Sequence, residues 1–335
     1  MEFDASFLGY GSYTLDEFEF ENGSVLKDVK VEYYIMGTPK YDDNGNIVNA
    51  VVYCHNYNGS CFSVNDFYQL TSEGASFDKK EYCIISITSL GFPESCSPSS
   101  TGLKFDFPKF SIIDCVNFKK QFLKEFLNIE KVLGVTGRGL GGYVVYAWAC
   151  EYPDDMEFII VCDSSFKTSG YRYAISRAVE NIIVSAEGFY SENYEVSLSN
   201  TMVSINRLVY SNYFPRDLLQ EMSNDEIDVL MDDFVEDGLF KDVYDIKYKN
   251  DVLLNFDYKD KLPNIKAKTL ILGNTDESYY SYRYDSLPVK ELVEDCEVIL
   301  FDSVRTPAGY DDHSEINEHL KKFLTDFKNK KVKAS

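Results

Sequence analysis

The feature that most constrains this chain is the run 132–153, VLGVTGRGLGGYVVYAWACEYP. It reads as a short β-branched strand, a turn crowded with glycines, and an apolar helix. Gly137, Gly139, Gly141 and Gly142 allow a sharp backbone turn and a helix packed close on the strand. A strand feeding directly into a helix implies a right-handed crossover and a mostly parallel sheet.

Three readings of this turn compete. Gly137, Gly139 and Gly142 satisfy G-x-G-x-x-G, with Asp163 closing the next strand, as in a dinucleotide fingerprint. The same turn satisfies the flanking glycines of the nucleophile motif G-x-S-x-G, with Gly139 where the serine would stand. No other segment supplies that motif or a cysteine equivalent. The third reading is a tight packing turn that binds nothing.

The rest of the chain supplies context. Strands are predicted at 31–36, 49–54, 81–87, 132–135, 158–162, 268–273 and 297–301, and helices at 111–126, 141–152 and 316–327. The alternation breaks after Ser165. Residues 170–254 read as helices and loops, including one acidic helix over 216–238. The expected organisation is an α/β core, 1–169 and 255–335, split by a helical lid insertion, 170–254. Such a lid covers a site at the carboxyl ends of the strands.

Composition narrows the partners. The formal net charge of −22 repels phosphate backbones and anionic lipid headgroups, so nucleic acid and membrane are excluded as expected partners. The N-terminus lacks a basic start followed by an apolar run, and no stretch is long enough to span a bilayer; a cytoplasmic location is expected. The eight cysteines form no CxxC pair and read as reduced core thiols. With three histidines, His55, His313 and His319, and no ligand spacing, neither a metal nor a cofactor is expected.

Beyond the turn, strand 49–54 runs into His55-Asn56-Tyr57-Asn58-Gly59-Ser60, where an oxyanion loop would lie. Asn49 to His55, Ser97-Pro98-Ser99-Ser100, Phe107-Pro108, Asp114, the elbow glycines, Trp148, Tyr152-Pro153-Asp154 and Lys167-Thr168-Ser169 follow in an order similar to one family. Together they resemble the homoserine O-acetyltransferase-like branch of the α/β-hydrolase fold; the lid does not align. The resemblance implies a mostly parallel central sheet flanked by helices, and a serine–aspartate–histidine triad. The acid then maps to Asp276 in GNTDES. The nucleophile maps to Gly139, and the histidine to Tyr310 in Gly309-Tyr310-Asp311, with His313 a little beyond. Two triad positions are therefore expected to be lost. Some relatives pair through their lids, which implies a homodimer.

What the resemblance leaves in place is a binding apparatus. His55 and Tyr57 on the oxyanion loop, Leu140 at the helix start and the cation of Arg138 are the expected ligand-binding residues. The leading expectation is a catalytically degenerate member that holds a small molecule or anion. Two alternatives stand beside it: an active acyltransferase or ester hydrolase with a non-standard nucleophile or water, and a nucleotide-binding protein using the G-x-G-x-x-G turn.

Overall fold

A computed structural model describes residues 7–190, 198–212, 214, 216–239, 241–276, 279–302, 305–306, 309–310 and 313–334. Its centre is an eight-stranded sheet: β1 (Gly9–Glu19), β2 (Val25–Gly37), β3 (Ala50–Cys54), β4 (Cys83–Ile87), β5 (Val132–Arg138), β6 (Met156–Cys162), β7 (Lys268–Asn274) and β8 (Cys296–Phe301). The strand order is β1-β2-β4-β3-β5-β6-β7-β8. β1 and β2 form an antiparallel hairpin and β2 runs antiparallel to β4; from β4 to β8 every pairing is parallel. β3 and β4 are buried along their whole length, as strands covered on both faces must be.

β1 and the first half of β2 escape the sequence pattern. β1 alternates between half-buried and exposed residues over most of its length and carries two glycines, so its apolar signal is weak.

Helices cover both faces. On one side α2 (Ile112–Leu127), α3 (Leu140–Glu151) and α9 (Val289–Leu292) join the larger core. On the other, α1 (Tyr68–Thr71) and α10 (Ser314–Ala334) pack over a second cluster around Phe158, Leu270 and Phe323. α2 starts at a capping box: the Asp114 N–H donates to Ser111 Oγ, and the Ser111 N–H donates to Asp114 Oδ2 at 2.8 Å. It ends on Asn128 in the left-handed conformation, φ 54°. α3 is buried on every residue but Glu151, which is why its sequence is apolar all round.

Between β6 and β7 lie α4 (Gly170–Val184), α5 (Ser199–Tyr210), α6 (Arg216–Glu221), α7 (Asn224–Leu239) and α8 (Val243–Leu254). They enclose a third cluster that includes Ile183, Phe189, Met202 and Tyr244. The single helix expected over 216–238 is two. Ser223 interrupts it: the Glu226 N–H donates to Ser223 Oγ, and the Ser223 N–H donates to Glu226 Oε2 at 2.8 Å. That capping box starts a new helix where acidic composition alone suggested continuity. Among the described residues no helix is long and apolar enough to cross a membrane.

Candidate functional site

The glycine turn is an elbow. β5 ends at Arg138, Gly139 takes φ 56° and ψ −122°, and α3 begins at Leu140. Three bonds fix the turn. The Gly139 N–H donates to Asp163 O at 3.0 Å, the Gly142 N–H donates to Gly139 O at 3.0 Å, and Ser164 Oγ donates to Gly139 O at 2.6 Å.

The glycines of this turn do different jobs. A Cβ on Gly141 would sit 1.9 Å from Cys54 O, one on Gly137 2.5 Å from the Gly141 carbonyl carbon, and one on Gly142 2.3 Å from Ser164 Oγ. These three let α3 press against the ends of β3 and β6. Gly139 differs. Its Cβ would meet Asn56 Cβ at 3.6 Å and Tyr280 Oη at 3.7 Å, ordinary contact distances. The position has room for a side chain and lacks one.

This arrangement counts against the dinucleotide fingerprint. Tight packing at Gly137 and Gly142 is shared by the fingerprint's first and third glycines, so the residue that decides is Asp163. The Asp163 carboxylate accepts the Asn274 N–H at 2.9 Å, which ties β6 to β7 at the place where a ribose would need it.

Gly139 and Leu140 line a cavity of about 90 Å³. Asn56, Tyr57 and Asn58 of the loop after β3 form one wall, and Tyr279 and Tyr280 after β7 another. The roof comes from α4, α5 and α8, through Ile175, Ser176, Val179, Val209, Asn250 and Leu253. α8 is anchored to the core loop by Asp245, which accepts the Ser99 N–H at 2.9 Å and the Ser99 hydroxyl at 2.5 Å. α4 is anchored by Arg172, which forms a buried ion pair with Asp285.

The expected ligand residues separate. Tyr57 and Leu140 reach the cavity; burial raises the Tyr57 phenol above its ordinary range, so it stays protonated and can donate. Arg138 does not reach it. Thr136 and Arg138 line a different cavity under α10, while Val135 and Gly137 face α3, because alternate strand residues point to opposite faces. The cation expected beside the elbow is thus on the far side of the sheet, where its charge acts on Tyr53 and Asp66. His55 faces inward. Its Nδ1 pairs with Asn56 O at 2.8 Å and its Nε2 accepts the Ser89 N–H at 2.9 Å, which assigns the proton to Nδ1. Burial pushes the imidazole down to about 3. A neutral ring with both nitrogens engaged holds the loop in shape and has none left for a ligand.

Asp276 lies in the turn after β7, half-buried, with its N–H donating to Asn274 Oδ1 at 3.0 Å. Tyr310 ends the two-residue strand β10 (Gly309–Tyr310), paired with β9 (Arg305–Thr306); its side chain and Asp311 fall outside the described residues. His313 is buried just before α10, its ring edge-on to Phe67 at 5.7 Å between centroids. Phe67 lines the Arg138 cavity, so the described contact of His313 is on that side of the sheet.

Sequence reasoning missed Tyr279, Tyr280, Asn250 and Lys249. The first three line the cavity, yet no local motif marks them, since they come from the loop after β7 and from α8, both remote from the elbow in sequence. Lys249 is buried, with Nζ 4.8 Å from the Tyr57 ring centroid and 4.4 Å from that of Phe92. Burial draws its ammonium down to about 8. It stands behind the tyrosine rather than in the cavity.

Chemically the site presents hydroxyl and amide groups beside the opening N–H groups of a helix, which have no partner within the helix. That suits an oxygen acceptor. No family model matches the chain. A probable acyltransferase of Methanothermobacter thermautotrophicus is 35% identical over 312 residues, covering 93% of this chain and 96% of that one. A homoserine O-acetyltransferase of Chloroherpeton thalassium is 31% identical over 182 residues, 52% of this chain and 47% of that protein. Among solved structures, an acetylester hydrolase from Corynebacterium glutamicum superposes with a TM-score of 0.82 at 19% identity, covering 94% of this chain and 96% of that one.

Proposed function

The chain belongs to the homoserine O-acetyltransferase-like family of α/β-hydrolases, a family of acyltransferases and hydrolases, and we propose that it is a catalytically degenerate member that binds a small acyl compound without covalent turnover. The observation that carries this reading is Gly139. The elbow keeps a positive φ of 56° and admits a Cβ at ordinary contact distances, yet has no atom to attack a carbonyl. Without that atom, oriented donors can hold and polarise a carbonyl oxygen but cannot form an acyl-enzyme. Arg138 points away from the cavity, so the retained ligand need not be an anion.

The test is turnover by the unmodified protein. It is offered p-nitrophenyl acetate and a panel of short esters, and separately acetyl-CoA with homoserine. The expected result is no release above buffer and no burst phase. Steady turnover that disappears in Asp276→Asn or His313→Ala would overturn the reading and establish an unrecognised nucleophile or direct attack by water.

A further inference from the structure

Resting on that reading of the elbow, we propose that Tyr280 has taken over the space in front of Gly139, and that its hydroxyl donates a hydrogen bond to the carbonyl oxygen of an uncharged ligand. A Cβ at residue 139 would have Tyr280 Oη at 3.7 Å and Tyr280 Cε2 at 3.9 Å. A serine hydroxyl would lie one bond beyond that Cβ. The phenol oxygen therefore stands beside the place a nucleophile would hold, in the cavity that Gly139 and Leu140 also line. It is an oxygen that donates rather than attacks.

The ring is held there by its neighbours. The Arg172 guanidinium carbon lies 5.2 Å from the Tyr280 ring centroid, and Tyr279 and Tyr143 meet the ring edge-on at 5.0 and 6.4 Å. Arg172 is itself fixed by Asp285. A fixed cation at the ring withdraws electron density from the phenol and makes its O–H a stronger donor.

The lining selects the ligand class. Among the described residues the cavity carries amides, phenols, one serine hydroxyl and aliphatic groups, with no Asp, Glu, Lys, Arg or His. Of the cations close to it, Arg172 and Lys249 are positioned at the rings of Tyr280 and Tyr57, and Lys241 donates to Asn58 Oδ1 at 3.3 Å from outside the lining. A zwitterionic amino acid would lose hydration at both charges with no counter-charge among the described lining residues to replace it. A short neutral ester or amide loses little, and its carbonyl oxygen finds donors.

The test uses the full chain with ζ-¹³C-labelled tyrosine, as wild type and as Tyr280→Phe, which keeps the ring and identifies the Tyr280 signal by its loss. Each protein is titrated with ethyl acetate, acetate ion and homoserine, and affinity is read from saturation transfer to the ligand. Ethyl acetate is expected to shift the Tyr280 signal saturably and to bind about fivefold more weakly to Tyr280→Phe, the loss of one neutral hydrogen bond. Acetate ion and homoserine are expected to do neither. An unmoved Tyr280 signal, equal affinity in the two proteins, or tighter binding of either charged probe would overturn the proposal. Ethanol appearing in the same samples reports separately. Turnover would sink the binding-only reading, while Tyr280 would still be judged by the fivefold comparison, then read as KM.

Discussion

Arg172 and Asp285 meet as a two-pronged fork, Nη1 donating to Oδ2 at 2.6 Å and Nη2 to Oδ1 at 2.7 Å, with both side chains buried. The pair joins α4 to the segment after β7. Arg172 also donates to Tyr279 O at 3.1 Å and Ser165 Oγ at 2.9 Å, so one guanidinium ties two walls of the cavity together. Removing one partner leaves a buried charge uncompensated. Arg172→Met is expected to cost about 3–5 kcal/mol in urea unfolding. The double variant Arg172→Met/Asp285→Leu should recover most of it, because an apolar pair carries no desolvation penalty. A single-variant loss under about 1 kcal/mol would show that the pair is solvated.

Two alanine substitutions two residues apart should behave differently. In Gly141→Ala the new Cβ meets Cys54 O at 1.9 Å, a backbone atom with no rotamer to escape into. α3 must lift from β3, and a loss of at least about 3 kcal/mol is expected. In Gly139→Ala the nearest atom is 3.6 Å away, and the cost is the positive φ of 56° alone. With ψ at −122° the residue lies outside the left-handed helical region, and such backbone costs about 1–3 kcal/mol. Urea midpoints of the two variants check the order; a reversed order would mean that the elbow conformation, not helix packing, dominates this turn.

The core was legible from the second half of β2 onward because its strands are short apolar runs, α2 carries helical periodicity and α3 is apolar throughout. β1 was not, since glycines fill two of its half-buried positions, Gly9 and Gly11, and leave the alternation without an apolar signal. At the site, Gly139 and Leu140 were visible because the elbow is contiguous in sequence. Tyr280 and Asn250 were not, because only the fold brings the β7 loop and α8 together over the elbow. Arg138 misled for a related reason. Adjacency to Gly139 in sequence suggested adjacency in space, and the pleat of β5 sends it to the opposite face.

His55 gives the fold a pH dependence whose sign can be worked out. The folded ring is held down to about 3 from an ordinary 6.5. The unfolded chain therefore binds a proton over a window in which the folded chain does not. The stability that neutral His55 contributes is complete above about pH 6.5 and is lost as pH falls toward 3. Through that window the slope approaches about 1.4 kcal/mol per pH unit. In His55→Gln that slope should vanish, so the gap between wild type and variant should narrow on acidification. Urea unfolding of both proteins from about pH 7 to pH 4 measures it. A gap constant with pH would mean that the ring is accessible to protons in the native state.

Installing a serine and a histidine at the positions that family resemblance gives them tests the proposed degeneracy. Gly139→Ser places a side chain where there is room, at the price of a strained φ, so the variant should fold with a loss of about 1–3 kcal/mol. It should not hydrolyse p-nitrophenyl acetate, because a serine without a base remains a weak nucleophile. Tyr310 stands at the position that family resemblance gives to the histidine. Gly139→Ser/Tyr310→His is therefore expected to release a burst of p-nitrophenol approaching one equivalent per chain, and adding Asp276→Asn should reduce it. A burst from Gly139→Ser alone would mean that a base is already within reach of residue 139. No burst from the double variant would mean that the loop after β8 no longer brings residue 310 to the elbow.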